Sequence, residues 1–211
     1  NDFPPGETTP IIVLADVVGD PTAPENVATL VAYAAALDAV EGIDRVESPF
    51  SGLVNPMTGQ AMTAAEIEAA WANPAARPLL QPLIDVYVRG STVRLDAISP
   101  HPAAQPTATG QIPVIRAVDG GDGVTTAVGG MAAGSYDFVG SMEEQLPMML
   151  ITVIGAMLIV LFLLFGSVVL PVKAVLMTLL SLTASFGALV WIFQEGHLEG
   201  LLDFESPGYT V

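Results

Sequence analysis

From Leu146 to Gln194 the chain is apolar almost without interruption, and its one charged residue there is Lys173. An α-helix rises about 1.5 Å per residue, so roughly 20 apolar residues cross a hydrocarbon core of about 30 Å. The stretch holds two such lengths, 147–165 and 174–194, joined by the segment GSVVLPVK (166–173). Lipid offers the backbone no hydrogen-bond partners, so each length must close its own ladder as a helix. The sequence therefore predicts an α-helical transmembrane hairpin.

The charges lie mostly ahead of Pro147. Asp and Glu number 22 against 6 Lys and Arg, a formal net charge of −16. Such a surface repels phosphate backbones and argues against nucleic acid as a partner. Lys173 is the only Lys or Arg after Arg116. By the positive-inside rule it marks a cytoplasmic link and puts residues 1–146 outside, in a multi-pass plasma-membrane protein. There is no cysteine, which removes disulfides and thiolate chemistry. No apolar leader precedes Asn1 and no closing feature follows Tyr209, so the chain reads as a piece of a longer polypeptide.

Residues 1–134 read as an α+β domain. Three prolines make Asn1 to Pro10 an extended lead-in. Ile11 to Val18 is so apolar that a strand buried on both faces is expected. Pro24 to Ala39 places Val27, Leu30, Val31, Ala34, Leu37 and Val40 on one helical stripe, and Ile43 to Ser48 alternates as a second strand. Strand, helix, strand is a βαβ-type unit of ferredoxin-like character. Thr63 with Glu66 forms a capping-box pattern ahead of a helix at Ala64–Asn73. Pro74, Pro78 and Pro82 break up the next stretch. A strand at Thr92–Ser99, a helix at Gly110–Val118 and a weak strand at Thr125–Met131 follow. From Ser135 a juxtamembrane helix leads into the first span, so residues 135–194 form the membrane part and 195–211 return to water.

No catalytic constellation is visible, and no cofactor or metal site is expected. His101 lies in a proline turn and His197 at the membrane edge, neither placed as a base for a nucleophile. The turn Asp119-Gly-Gly-Asp-Gly123 lacks the ligand ladder of a calcium loop. Glu41, Asp44 and Glu47, and likewise Glu143 and Glu144, read as solvated faces. The second span is more informative. Ser181/Ser185, Thr183/Gly187 and Ala184/Ala188 are small residues four apart, a spacing that lets helix backbones approach. This helix-packing seam predicts a partner helix, whereas the bulky first span suits a lipid-facing place with a small patch at Gly155-Ala156. Trp191 and Phe193 belong at the outer interface. Neither span carries a carboxylate of the kind that proton relays use.

The residues 165–204, FGSVVLPVKAVLMTLLSLTASFGALVWIFQEGHLEGLLDF, resemble the helix-link-helix segment of the MMPL family (mycobacterial membrane protein large) of the resistance-nodulation-division superfamily. The pattern F-x-S-V-V-L-P-x-K-A-x-L-M-x-L-L-S-L and the F-G-A-L-V-x-I-F-Q after it carry the likeness. So does the Val128-Gly-Gly130 entry into the first span. Gly166 departs from the pattern where an arginine is common, which weakens the positive-inside signal. The resemblance implies a porter-like domain followed by the two spans after it in the second repeat. The family's proton-relay carboxylate and tyrosine would lie beyond Val211. It further implies a proton-driven exporter of lipids or other amphiphiles, not an enzyme. The implied partners are the bilayer, the remaining helices, a second porter-like domain and a hydrophobic or lipid substrate, with a homo-oligomer left open. The alternatives are a membrane-anchored ligand-binding or sensor module, which should carry a cytoplasmic output domain, and an anchored enzyme.

Overall fold

The computed structural model describes residues 5–194 and His197, so the expectations for Asn1–Pro4 and for the rest of 195–211 lie outside the described residues. Two compact units divide the chain, Asn1–Asp137 and Phe138–Val211. The first contains a short helix α1 (Pro5–Thr8), strand β1 (Ile11–Val17), helix α2 (Pro24–Asp38) and strand β2 (Arg45–Glu47). Next come helices α3 (Ala64–Ala72) and α4 (Arg77–Tyr87) and strands β3 (Val88–Arg89) and β4 (Thr92–Ile98). Helices α5 (Pro106–Thr109) and α6 (Gln111–Arg116) lead to strand β5 (Val124–Gly129). Helix α7 (Met131–Phe165) passes from this unit into the second, where helix α8 (Val169–Leu189) follows.

Every ladder is antiparallel, in the order β2-β4-β1-β5 with β3 on β4. The chain goes from β1 through α2 to β2 without pairing those two strands, because β4 inserts between them. This arrangement corrects the reading of the first strand. Ile11, Val13, Ala15 and Val17 are buried while Leu14 and Asp16 are exposed. An antiparallel sheet needs cover on only one face, and β1 alternates accordingly. Its inward residues share one core with Val27, Leu30, Val31 and Leu37 of α2 and with Ile112 and Ile115 of α6.

Helix α2 follows its stripe, with Pro24 in the first turn, and it also buries Tyr33. Burial pushes the Tyr33 phenol up. The α3 capping box is formed: Thr63 N–H donates to Glu66 Oε2 (2.8 Å), and Glu66 N–H donates to Thr63 Oγ1 (3.4 Å). That backbone hydrogen bond from Thr63 lowers the Glu66 pKa. Three prolines forbid less helix than expected. Pro5 opens a turn of helix, Pro78 lies in the first turn of α4, and Pro82 lies inside it. A proline at a helix start loses no bond. Pro82 leaves only the Pro78 carbonyl unpaired, and both residues face water. The expected helix at Gly110–Val118 is shorter, Gln111–Arg116 (α6), and a separate turn of helix, α5, precedes it.

Asp44 and Glu47 are not simply solvated, since both pair with Arg45, at 3.5 and 2.9 Å, and Glu7 joins them at 2.8 Å. Asp119 closes its glycine-rich turn by accepting from Gly121 N–H at 3.0 Å. That is a turn device, and among the described residues no group of acids and histidines gathers into a metal site.

Candidate functional site: the apolar helices

The start of α7 is fixed by backbone and by charge. Gly130 has φ +94°, and a Cβ there would stand 2.7 Å from the Pro10 carbonyl oxygen and 3.3 Å from Ile12 N. Only glycine lets the chain turn from β5 into the helix so close to the start of β1. Four residues on, Gly134 N–H donates to the Gly130 carbonyl at 2.9 Å. Arg116, at the end of α6, then grips Asp137 with both nitrogens, Nη1 to Oδ1 at 2.7 Å and Nη2 to Oδ2 at 2.8 Å. Nη2 also donates to the Val128 carbonyl at 3.3 Å, so one guanidinium ties α6, β5 and α7 together.

The hydrogen bonds from Arg116 hold the Asp137 carboxyl below its ordinary value. A carboxylate lowered in this way stabilises the fold above its unfolded value, and the gain is lost as pH falls through the folded one. Arg116→Ala should therefore move the Asp137 titration midpoint up toward the ordinary carboxylate range. A carboxyl-carbon NMR titration reads this directly, and an unmoved midpoint would refute the clamp.

Helix α7 has 35 residues, about 52 Å at the standard rise, so it exceeds a hydrocarbon core. Its first half carries Asp137, Glu143 and Glu144, and Leu146 to Phe165 carries no charge. Pro147 lies inside the helix at that change of character, one backbone N–H short. In the apolar part Ile154, Gly155, Met157, Leu158 and Leu161 are half-buried, a stripe at helical spacing, while Ile159, Val160, Leu163 and Leu164 are exposed. Gly166 ends the helix in the left-handed region, φ +62°, its N–H on the Phe162 carbonyl at 2.8 Å.

The link is shorter than expected. Helix α8 begins at Val169, not at Ala174, so Lys173 lies in its second turn and not in the connection. Pro171 is tolerated because it falls in the first turn, where its missing N–H has no helical partner to lose. Pro171 and Val175 are buried. Ser181, Thr183, Ala184, Ser185, Gly187 and Ala188 are all exposed, and a Cβ on Gly187 would meet nothing within 4 Å. The helix continues as a π turn at Val190–Gln194. There Trp191 stacks on His197 with ring centroids 4.5 Å apart, and His197 Nδ1 donates to the Trp191 carbonyl at 3.1 Å. Both α7 and the length Val169–Phe193 are long and apolar enough to cross a membrane.

Sequence reasoning missed the Arg116–Asp137 clamp, and no local signal marks two residues so far apart. His101 is half-buried, with its backbone N–H on Ser99 Oγ at 3.3 Å, and Glu143 and Glu144 are exposed.

Residues 47–206, most of the chain, match the MMPL family. The trehalose monomycolate exporter MmpL3 of Mycobacterium tuberculosis is 37% identical over 97 residues, 46% of this chain and 10% of that protein. MmpL3 of Mycolicibacterium smegmatis, of the same description, is 39% identical over 94 residues, 44% and 9%. The mycolic acid-containing lipids exporter MmpL11 of Mycolicibacterium smegmatis is 40% identical over 81 residues, 38% and 8%. The aligned part is thus about a tenth of the length of the relatives. With two helices fit to span a bilayer and a match running through both, the chain is a membrane protein that belongs to the MMPL family.

Proposed function

We propose that this chain is part of a proton-motive-force-driven transporter that exports lipids or other amphiphiles. The observation that carries the reading is the family match across both apolar helices, joined to relatives whose names are those of lipid exporters. Residues 1–146 would then lie outside the cytoplasm, as a porter-like domain on the substrate's path. Its two crossovers and strand order favour a ferredoxin-like, split βαβ fold. The spans supply packing. Proton coupling needs ionisable groups within the membrane, and Leu146–Phe165 and α8 carry no carboxylate. In this reading the relay belongs to other helices of the parent polypeptide.

The test uses the parent protein in sealed vesicles with an imposed pH gradient. A fluorescent amphiphile should move only with the gradient, and a protonophore should stop it. Single cysteines, introduced into a cysteine-free parent, read the sidedness. Met57→Cys should react with an impermeant maleimide from outside, and Ser167→Cys only after permeabilisation. Gradient-independent movement, or labelling with the opposite sidedness, would overturn the proposal.

A further inference from the structure

An open groove of about 490 Å³ runs along the first turns of α8, lined by Val168, Val169, Val172, Lys173, Leu176 and Met177. We propose that it seats an anionic phospholipid, with an acyl chain along Leu176 and Met177 and the phosphate on the Lys173 ammonium. The lining is apolar except for that one head group. Lys173 is also the sole lysine of the chain, and among the described residues no carboxylate pairs with it.

Depth fixes what can meet the charge. From Ala174 to Phe193 the helix already has the roughly 20 residues that cross a hydrocarbon core. Lys173 therefore lies at the headgroup boundary, about 6 Å along the axis from Val169. A long lysine stem lies on apolar surface while its ammonium reaches the polar layer, where a lipid phosphate is the abundant anion. Cover by a wholly apolar helix would instead strip water from an unpaired ammonium, which is costly. Charge complementarity thus selects a lipid with a negative headgroup over a neutral one. The inference rests on α8 crossing a bilayer and is independent of transport and of sidedness.

Native mass spectrometry of the parent protein, released from nanodiscs of mixed phosphatidylglycerol and phosphatidylcholine, tests it. The wild type should retain phosphatidylglycerol about fivefold over phosphatidylcholine, the ratio expected of one lysine near an anionic surface. Lys173→Gln should remove the preference and Lys173→Arg should keep it. Leu176→Ser should weaken retention of either lipid, which separates the groove from the charge. Equal retention of phosphatidylglycerol by the wild type and Lys173→Gln, as cover by another helix would give, overturns the proposal. So does equal retention of both lipids by the wild type. Transport is not read, so the exporter reading stands or falls separately.

Discussion

Gly130→Ala is expected to lower the melting temperature of the α+β unit by about 10 °C. Two costs add. An L-residue held at positive φ loses about 1–2 kcal/mol. The new methyl would also press on the Pro10 carbonyl at 2.7 Å and the Ile12 amide at 3.3 Å, both backbone atoms that no side-chain rotation can clear. Overpacking of this kind costs typically 1–3 kcal/mol, so the sum is about 3 kcal/mol. In a unit of this size that corresponds to the stated shift. Gly130→Asn tells the two parts apart. Asparagine tolerates the left-handed region better but brings the same Cβ, so it should rescue little if the overlap dominates. Thermal unfolding followed by circular dichroism measures both variants, with hydrogen exchange at Val128 and Gly129 reporting the frayed end of the β1–β5 ladder. A melting temperature within a degree or two of wild type would mean that the turn has room this structure does not show.

Gly187→Leu is expected to cut transport by the parent protein about tenfold while membrane insertion and expression persist. The structure makes this a clean experiment, because Gly187 faces open space and the whole seam is exposed. Among the described residues a Cβ there meets nothing within 4 Å. A loss would then come from a helix outside this hairpin that uses the small residues for close approach. Forcing a large side chain into such a contact costs about 1–3 kcal/mol, and 1.4 kcal/mol is already tenfold. Unchanged transport would place the seam against lipid. A variant that fails to insert would point to α8 itself.

What could be read from the sequence was what local spacing controls. The apolar lengths, the α2 stripe from Val27 to Leu37 and the Thr63–Glu66 box depend on residues within a turn or two, and each appears in the structure. What the sequence hid was pairing at a distance. Ile11–Val17 is apolar apart from Asp16, and only the antiparallel sheet around it decides that Leu14 faces out. Pro82 argues against a helix locally, yet it sits on an exposed side where one lost bond is cheap. Lys173 and Pro171 look like link residues, but both suit the early turns of a helix, and the link shrinks to Gly166, Ser167 and Val168. The small residues of α8 are legible from their spacing, and the structure leaves all six exposed.

Pro147 also bears on where the long helix can afford a defect. The missing N–H leaves the Glu143 carbonyl without its helical donor, at a level where Glu143 and Glu144 are exposed and solvent can supply a replacement. A proline ten residues deeper would strand its carbonyl in hydrocarbon, at a cost of several kcal/mol. The rod is notched where its charged half meets its apolar half, so it can bend there with the freed carbonyl still in reach of solvent, and the apolar length beyond keeps its ladder whole.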